Sequence, residues 1–475
     1  VFFAGADLKD LVRATPDHAE EIYRDIQLMK HDMRRLEKLP VPVVAAINGA
    51  ALGGGYELSL ACNRRIAVNH RAVKIGLPEC SLGLFPAGGG IVRLTHLIGV
   101  QAALDIILAS KQMIPEKALA VGMIDQLVET LDDLIPAAKR WLIDVESEAD
   151  AAQQPWDRKG HKVAGGAINT PKNAQYAAVA PTMLHQKTRG LLPNATAAMD
   201  IAFQASMLDV DTALRIESRE FVKVVTGAVA KNMITTFFFQ LNQINAGASR
   251  PQGVAKNPTR KLGILGAGMM GQGIAYVAAM AGIQVVLKDM TLAAAEKGKA
   301  YTIALLAKQT SRGRLDAAKA EVIADLIKPT ICDTDLAGCD LIIEAVFENI
   351  ALKNTITQST EQYLSDDGHW GSNTSTLPIT QLAEASAKPE NFIGIHFFSP
   401  VDKMPLIEII AGEKTSDATL AKAFDFAQQI GKTPIVVNDS LGFFTSRTFS
   451  TYLDEGAELL VEGVHPVKIE NLAKA

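Results

Sequence analysis

Cysteine is scarce in this chain of 475 residues. Its four cysteines, Cys62, Cys80, Cys332 and Cys339, are too few and too scattered for a disulfide framework or a zinc site. The sequence therefore predicts no metal centre, and this cysteine usage fits a reducing compartment best.

Long apolar runs and an excess of charge are missing as well. No stretch of about 18 apolar residues occurs and no secretory signal is present, so neither a membrane span nor export is indicated. The formal net charge of −5 and the pI near 6.0 provide no general attraction to nucleic acid or anionic lipid. With 48% hydrophobic and 21% charged residues, the composition is that of an ordinary globular protein with two or three domains.

Methionine does not stand at position 1. The chain begins with Val1, inside an expected strand, and it ends at Ala475 in a helical pattern. We therefore expect a fragment of a longer protein, in which a targeting segment would not be visible.

A glycine-rich turn in mid-chain is the most informative motif. An expected buried strand at 262–265 precedes it, and an expected helix at 272–281 follows it. A second strand at 285–287 then leads to Asp289, about 20 residues after the turn, as the dinucleotide-binding fingerprint requires. This carboxylate is expected to accept hydrogen bonds from both ribose hydroxyls and to repel a 2′-phosphate, which favours NAD over NADP. The alternative is a sheet with a glycine turn and no nucleotide.

Each glycine of this turn has an expected role toward the dinucleotide. Gly266 makes the tight turn, Gly268 lets the backbone approach a pyrophosphate, and Gly271 lets the helix pack closely on the strand. The phosphates then face the helix N-terminus, which contains Met269 and Met270.

The chain is predicted to be α/β with four parts. Short strands and helices alternate up to about residue 129, and the stretch from about 148 to 190 shows no sustained period. Long helices are expected from 196 to about 241, and another helix from 441 to 460. We therefore expect an α/β domain, a helical linker, a Rossmann-type domain that binds NAD and the start of an all-α domain: 1–190, 191–257, 258–438 and 439–475.

The first domain resembles the crotonase (enoyl-CoA hydratase/isomerase) superfamily in two segments, Phe3-Ala-Gly-Ala-Asp-Leu8 and Asn48-Gly-Ala-Ala-Leu-Gly-Gly-Gly-Tyr-Glu-Leu58. The resemblance implies a spiral α/β fold whose opening strands are missing here. It also implies an oxyanion hole, in which the amides of Ala6 and Gly54 hold the thioester carbonyl of an acyl-CoA. Two such donors stabilise the charge that develops on the carbonyl oxygen during hydration.

Two glutamates decide which reaction of that superfamily is expected. Hydratases carry a pair of them, matched here by Glu57 and by Glu79 in the segment Ile75-Gly-Leu-Pro-Glu79. By the resemblance they hold one water, with Glu57 as base toward it and Glu79 exchanging the proton at the α-carbon. Taken singly, they would be a solvated helix residue and a turn residue. Isomerisation of a double bond stays open, since it needs Glu79 alone. The following glycines, Gly88 to Gly90, are expected to be structural.

The part from 260 to 475 resembles 3-hydroxyacyl-CoA dehydrogenases. The resemblance lies in the segments Ser372-Asn-Thr-Ser375, Gly394-Ile-His396-Phe-Phe-Ser399 and Leu406-Ile-Glu408, whose spacing matches the family. It implies that His396 takes the hydroxyl proton while hydride passes to NAD, that Glu408 orients the imidazole, and that Ser375 bonds the substrate oxygen. A lone histidine in an apolar strand is otherwise most often a core residue.

Four further residues have expected places around the cofactor or substrate. The resemblance places Glu348 and Lys353 near the cofactor. Ser399 and Ser446 stand where single-function members commonly carry asparagine, and serine can still donate and accept hydrogen bonds through water. Ser399 is also typical of a branch of fused enzymes.

The two resemblances together give the layout of α-subunits of multifunctional fatty-acid β-oxidation complexes. This layout implies NAD as cofactor, coenzyme A thioesters as substrates and a thiolase β-subunit as partner in an α2β2 complex. Nucleic acid is not expected as a partner. A bacterial cytoplasmic location is expected, with the mitochondrial matrix as the alternative. The acyl chain length is not given by the sequence.

Two other functions stay open at this stage. In the first, only the dehydrogenase is active and the crotonase-like domain is a scaffold. In the second, the chain is an RNA-binding protein with a crotonase fold, against which stand the acidic pI and the presence of both Glu57 and Glu79.

Overall fold

The computed structural model describes residues 2, 3, 5, 7–148 and 150–474. The chain divides into two compact units, Val1–Gln240 and Leu241–Ala475. Within the described residues, no helix is long and apolar enough to cross a membrane. Each unit mixes helices with mainly parallel strands, which confirms the α/β prediction.

The first unit packs helices around small sheets. Its strands are β1 (Val44–Ile47), β2 (Ala51–Leu52), β3 (Arg64–Val68), β4 (Ile75–Gly76), β5 (Gln112–Met113) and β6 (Gln126–Val128). Its α-helices are α1 (Leu8–Arg13), α2 (Ala19–Glu37), α3 (Gly54–Leu60), α4 (Gly90–Ile98), α5 (Val100–Ile107), α6 (Pro115–Ala120), α7 (Leu131–Asp144), α8 (Ala174–Thr188), α9 (Pro193–Ala205), α10 (Val210–Val225) and α11 (Ala228–Ile234). Shorter 3₁₀ turns cover Pro16–His18, Glu79–Leu82, Pro155–Asp157 and Pro171–Asn173, and a π-helical stretch covers Thr235–Gln240.

Two sheets order these strands. One has the order β1-β3-β6 with all neighbours parallel, and the other has the order β2-β4-β5 with β5 antiparallel to β4. Phe3 adds a parallel bridge to Ala51 of β2. Phe3 therefore lies beside the strand that leads into α3.

Glycine is required where β2 turns into α3. Gly53 has a φ of 55°, in the left-handed region that favours glycine. A Cβ atom on Gly55 would lie 2.0 Å from the carbonyl oxygen of Phe3, so no side chain fits there. The two glycines let the N-terminal residues lie directly against the start of the helix.

Helices from the expected linker belong to the core of the first unit. Both α9 and α10 pack against α4, and α10 also packs against α2. Ala198, Ile201 and Phe221 are buried there. Helix α8 lies in the stretch from about 148 to 190, where no helix was predicted because the alanine-rich sequence shows little apolar period. Its buried residues Ala180 and Leu184 lie one turn apart.

The second unit is built around one large sheet. Its strands are β7 (Lys261–Leu265), β8 (Gln284–Lys288), β9 (Ile327–Thr330), β10 (Cys339–Glu344), β11 (Leu364–Ser372), β12 (Phe392–Phe397), β13 (Leu406–Ala411) and β14 (Thr433–Asn438). Its α-helices are α12 (Leu241–Asn245), α13 (Met269–Met280), α14 (Leu292–Ser311), α15 (Ala317–Asp325), α16 (Ile350–Thr360), α17 (Ile379–Ala383), α18 (Asp417–Gln429), α19 (Thr445–Val461) and α20 (Pro466–Lys474), with 3₁₀ turns at Asp333–Leu336, Glu361–Tyr363 and Pro389–Asn391.

The strand order of this sheet is that of a dinucleotide-binding fold. The eight strands are ordered β14-β13-β12-β11-β10-β7-β8-β9, and only the β12–β13 pair is antiparallel. From β9 to β12 this is the order 3-2-1-4-5-6, so the order reverses between β7 and β10. Ligands of such sheets bind outside the carboxyl ends of the strands at this reversal. The predicted strand, turn, helix and second strand correspond to β7, Gly266 to Gly268, α13 and β8.

The last two helices differ from the rest of the second unit. Helix α19 corresponds to the helix expected at 441–460, and α20 follows it. Neither contains a buried residue. Exposed apolar side chains on α19 include Phe449 and Leu453.

Candidate active sites

The carboxylate of Glu57 lies at the N-terminus of α4. Its Oε1 atom accepts hydrogen bonds from the amides of Gly88 at 2.7 Å and Gly90 at 2.8 Å. A Cβ atom at either glycine would lie 2.7 Å from a Glu57 carboxylate oxygen, so both positions must lack a side chain. Gly88 and Gly90 therefore form a cradle of two amides around the carboxylate of Glu57. The sequence did not predict this role for the two glycines.

Glu79 begins the 3₁₀ turn that follows β4. Its Oε1 atom lies 2.8 Å from the position that a Cβ on Gly53 would take, so it lies close to the start of α3. Its Oε2 atom is buried and has no hydrogen-bond partner within the described part of the chain. A buried carboxylate oxygen of this kind is available to bind water or a substrate group.

Of the two expected amide donors, Gly54 is the first residue of α3 and Ala6 lies outside the described residues. A Cβ atom on Gly5 would lie 3.3 Å from the Gly54 nitrogen. The backbone of Gly5 therefore lies beside the Gly54 amide.

In the second unit, His396 and Glu408 form a buried pair. They lie opposite each other in the antiparallel β12–β13 pair, with His396 Nδ1 2.7 Å from Glu408 Oε2. Glu408 Oε1 accepts from the amide of Thr445 at 2.8 Å, and Oε2 accepts from the Thr445 hydroxyl at 2.7 Å. Thr445, at the start of α19, thus holds the Glu408 carboxylate in place, and this carboxylate in turn orients the imidazole of His396.

A cavity of about 450 Å³ lies at the carboxyl ends of four parallel strands. The segments after β7, β10, β11 and β12 each contribute to its wall. The expected site residues that line it are Met269, Met270, Glu348, Ser375, His396 and Ser399. The reversal point of the sheet and the His396–Glu408 pair therefore share one cavity.

Lys353 does not line this cavity. It is 2% exposed, and its Nζ atom lies 2.9 Å from both carboxylate oxygens of Glu344. Glu348 lies 3.3 Å from the same nitrogen and accepts from the amide of Ser375 at 2.9 Å. Lys353 thus lies behind the cavity wall, where it holds the residue that supports Ser375.

The glycine turn has the shape that a dinucleotide requires. Gly266 has a φ of 97°, and a Cβ there would lie 2.7 Å from the carbonyl oxygen of Ala345. A Cβ on Gly271 would lie 1.8 Å from the Gly266 oxygen, whereas one on Gly268 would meet no atom within 4 Å. Asp289 accepts from the amide of Ala267 at 2.7 Å, so it lies beside the turn. The open space at Gly268 is where a pyrophosphate is expected.

Comparison with known protein families assigns both units. Residues 1–159 match the enoyl-CoA hydratase/isomerase family, and residues 261–440 match the NAD-binding domain of 3-hydroxyacyl-CoA dehydrogenase. The chain is a fusion of these two enzyme domains. We refer to them below as the hydratase domain and the dehydrogenase domain.

Relatives of this fusion are known. Over all of its length, the chain is 37% identical to the fatty acid oxidation complex subunit alpha of Shewanella halifaxensis, and it spans 65% of that protein. The dehydrogenase domain is similar to (S)-3-hydroxybutyryl-CoA dehydrogenase from Ralstonia eutropha, with 37% identity, a TM-score of 0.43 and coverage of 44% of this chain and 73% of that one. For 3-hydroxybutyryl-CoA dehydrogenase from Escherichia coli the identity is 30%, the TM-score 0.42 and the coverage 44% of each chain. The assignment rests on the sequence matches.

The electrostatics of the hydratase domain favour proton exchange near neutral pH. Burial, together with the charge of Glu217, raises the pKa of Glu57 to about 7, although the Gly90 amide and the cations Lys30 and Arg93 oppose the shift. Burial and the charge of Glu57 raise the pKa of Glu79 well above its usual range. Burial and the mutual repulsion of the two carboxylates both favour the protonated form of each glutamate.

The dehydrogenase domain keeps Glu408 charged. Burial alone would raise the pKa of Glu408, but the hydrogen bonds from His396 and Thr445 outweigh burial and lower it. An ionised carboxylate accepts a hydrogen bond from the Nδ1–H group of the imidazole, which leaves Nε2 free to act as a base.

Other residues of the dehydrogenase site were missed by sequence reasoning. Asn373 lines the cavity and accepts from the amide of Phe397 at 2.9 Å. The ring of Phe398 lies 4.6 Å from that of His396, centroid to centroid. Thr445 orients Glu408. A signal for Asn373 was its place between Ser372 and Ser375, whereas nothing in the sequence connects Thr445 with a strand so far upstream.

Proposed function

We propose that the chain catalyses two consecutive reactions of fatty-acid β-oxidation. The hydratase domain adds water to trans-2-enoyl-CoA to give L-3-hydroxyacyl-CoA. The dehydrogenase domain then oxidises this product to 3-ketoacyl-CoA. The observation that carries the proposal is the presence of a complete set of proton-transfer residues in each domain, Glu57 with Glu79 and His396 with Glu408.

Hydration needs a base, an acid and an oxyanion hole. We assign Glu57 as the base that activates water and Glu79 as the acid that delivers a proton to the α-carbon. The pKa of about 7 for Glu57 suits this exchange, because efficient general acids and bases titrate near the working pH. Burial and the charge of Glu57 raise the pKa of Glu79, which favours the protonated form that an acid needs. The amides of Gly54 and Ala6 would hold the thioester oxygen, each contributing about 3 to 4 kcal/mol to stabilisation of the transition state.

Oxidation needs a base placed beside a hydride acceptor. We assign His396 as the base that takes the hydroxyl proton, Glu408 as the group that orients it and Ser375 as a hydrogen-bond partner of the substrate oxygen. NAD, when bound, supplies the hydride acceptor. The residues that would hold it are Gly266, Gly268, Met269, Met270, Gly271, Asp289, Glu348 and Ser399, with Lys353 acting from behind Glu348.

Two assays on the full chain test the proposal. Crotonyl-CoA without NAD should lose its enone absorbance, and the variant Glu57→Gln should abolish this loss. L-3-hydroxybutyryl-CoA with NAD should produce NADH in both wild type and Glu57→Gln. If Glu57→Gln loses both hydration and NADH formation, the substitution damages the whole chain. The variant Glu57→Asp would then be tested in place of Glu57→Gln.

The same assays separate the alternatives. If crotonyl-CoA is not hydrated while NADH forms, the hydratase domain is a scaffold for the dehydrogenase. If neither reaction occurs and RNA is retained on a filter at physiological salt, the chain is an RNA-binding protein instead. Isomerisation would appear as conversion of 3-enoyl-CoA in the Glu57→Gln variant, where Glu79 is still present.

A partner and a location follow from the proposed reaction. The name of the relative from Shewanella halifaxensis describes a subunit of a complex. We propose a thiolase β-subunit as the partner, in an α2β2 complex, and the bacterial cytoplasm as the location, with the mitochondrial matrix as the alternative. Copurification of a tagged chain with thiolase activity tests the partner.

A further inference from the structure

Two carboxylates share the N-terminus of α4. Glu57 takes the amides of Gly88 and Gly90, as described above. Glu217, from α10, accepts on its Oε1 atom from the next two amides, those of Ile91 at 3.2 Å and Val92 at 3.4 Å. The free amides of a helix's first turn need acceptors and attract negative charge. Here one acceptor is Glu57, the proposed base. The other is Glu217, which lies outside residues 1–159, the region that matches the hydratase family.

Glu217 is held in place by a buried lysine. Lys30 Nζ, on α2, lies 2.6 Å from Glu217 Oε2. The same nitrogen donates to the carbonyl of Leu214 and to the hydroxyl of Ser218, both at 2.8 Å. Lys30 is 2% exposed and Glu217 is fully buried. The two hydrogen bonds and the ion pair of this ammonium group are therefore all made to α10, and they hold this helix against α2.

A second contact from α2 supports the same turn. Arg93 donates from Nη1 to the carbonyl of Gly88 at 2.7 Å and from Nε to Glu37 of α2 at 2.6 Å. Gly88 is thus held at its carbonyl by Arg93 while its amide holds Glu57. The Glu57 cradle has fixed supports from both α2 and α10.

We propose that Glu217, with its partner Lys30, is a positioning residue of the hydratase site that acts through the first turn of α4 on Glu57. The inference rests on the proposed hydration at Glu57. Glu217 does not touch the substrate in this role. It fixes the amides next to those that hold the base, and its charge pair is part of the field in which the base titrates.

The charged groups around Glu57 set the sign of the expected effects. They are Glu79 in the turn after β4, Glu217 on α10, Lys30 on α2, and Arg93 on α4 with its partner Glu37. The negative charge of Glu217 raises the pKa of Glu57, and the positive charge of Lys30 lowers it. Removing one member of the pair should therefore move the Glu57 titration in one direction, and removing the other should move it in the opposite direction.

The test uses two variants and a matched control in the full chain. Glu217→Gln keeps an oxygen that can accept from the amides of Ile91 and Val92, and it removes the negative charge that raises the pKa of Glu57. The acid limb of the pH profile of kcat/KM for crotonyl-CoA hydration should therefore shift down by about one pH unit. Lys30→Met should shift it up by a similar amount. Glu220→Gln removes the same charge from the outer face of α10, where Glu220 pairs with Lys223, and should leave the profile unchanged. Damage to packing would lower the rate without moving the limb in opposite directions.

A second measurement does not depend on turnover. Glutamate labelled with ¹³C at the side-chain carboxyl gives a Glu57 resonance that is identified by its loss in Glu57→Gln. Its titration midpoint should fall in Glu217→Gln and rise in Lys30→Met. Should one variant fail to fold, the other still decides, because each has its own expected direction.

The outcomes separate this inference from the proposed function. The wild type could lack hydratase activity while the Glu57 resonance shifts in opposite directions in the two variants. This outcome would rule out the proposed reaction and support the role of Glu217. An active wild type whose profile and Glu57 resonance move in neither variant, or move the same way in both, would overturn the role of Glu217 and leave the proposed reaction intact.

Discussion

His396 and Glu408 lie opposite each other in the only antiparallel pair of strands described in the dehydrogenase sheet. Their contact is 2.7 Å long, and both side chains are buried. Because β13 runs against β12, the two residues face each other directly across the pair. The dyad is therefore a property of the sheet register, and a shift of β13 by one residue would turn Glu408 to the other face.

Removal of the imidazole tests the role of this dyad. His396→Ala should lower the rate of 3-hydroxybutyryl-CoA oxidation by at least about a hundredfold, the low end for loss of a general base. NAD binding, measured by calorimetry, should be retained, because the glycine turn is unchanged. His465→Ala, at an exposed position on the same unit, is the matched control. Normal oxidation by the His396 variant would remove the dyad from the mechanism.

Glu57 should make the stability of the hydratase domain depend on pH. Its pKa is raised from the usual 4.5 to about 7, so the folded chain holds a proton that the unfolded chain releases. The stability linked to this proton is complete below about pH 4.5 and is lost as the pH rises through about 7. At about pH 8.5 the free energy of unfolding of Glu57→Gln should therefore be about 3 kcal/mol higher than that of wild type. Near pH 4.5 the two free energies of unfolding should be equal.

Urea titrations at both pH values measure this effect. Pulsed hydrogen exchange of peptides from the first unit reports its unfolding separately from that of the second unit. Glu220→Gln is the control, since Glu220 is paired at the surface of α10. An equal gain at both pH values would show that the glutamine acts through packing and not through the proton.

Two glycines of the nucleotide turn should respond differently to alanine. Gly268→Ala should leave stability unchanged, because its Cβ meets no atom within 4 Å, yet weaken NAD binding at least about tenfold by filling the space of the pyrophosphate. Gly271→Ala should lower both stability and NAD binding, because its Cβ would lie 1.8 Å from the Gly266 oxygen. Thermal unfolding and calorimetric titration with NAD check both. Tight NAD binding by Gly268→Ala would place the pyrophosphate elsewhere.

Asp289 should set the choice of cofactor. Asp289→Ser removes the charge that would repel a 2′-phosphate, so the ratio of kcat/KM for NAD to that for NADP should fall at least about tenfold. Asp316→Ser is the control, since serine can replace aspartate as the cap of α15. An unchanged ratio would mean that other groups discriminate between the two cofactors.

Local motifs made much of this architecture predictable. The turn from Gly266 to Gly271 and its flanking strands have strict local requirements, so the Rossmann-type unit followed from one short segment. Glu57 and Glu79 were predicted as the hydratase pair from the resemblance of the glycine-rich segments around them to the crotonase superfamily. Helix α8 was not predicted, because an alanine-rich helix lacks the apolar period on which such predictions depend.

Long-range contacts account for what sequence reasoning missed. Lys30 and Glu217 are far apart in the chain and unremarkable alone, and only the packing of α10 on α2 joins them. Lys353 was expected beside the cofactor. In the structure Lys353 lies behind Glu348, and its Nζ atom pairs with Glu344 at the end of β10. A spacing rule cannot distinguish a lysine in the wall from one behind it.

The docking of α10 determines how short an independent hydratase can be. A piece that stopped at the end of the matched region, residue 159, would lose every hydrogen-bond partner that Lys30 has on α10 and would leave the amides of Ile91 and Val92 without acceptors. The same cut would remove buried apolar residues of α10 such as Leu214 and Phe221 from the core of the first unit, at a cost of roughly 2 to 5 kcal/mol for each large side chain. The segment between the two matched regions is therefore more than a tether, because α9 and α10 belong to the packed core of the first unit.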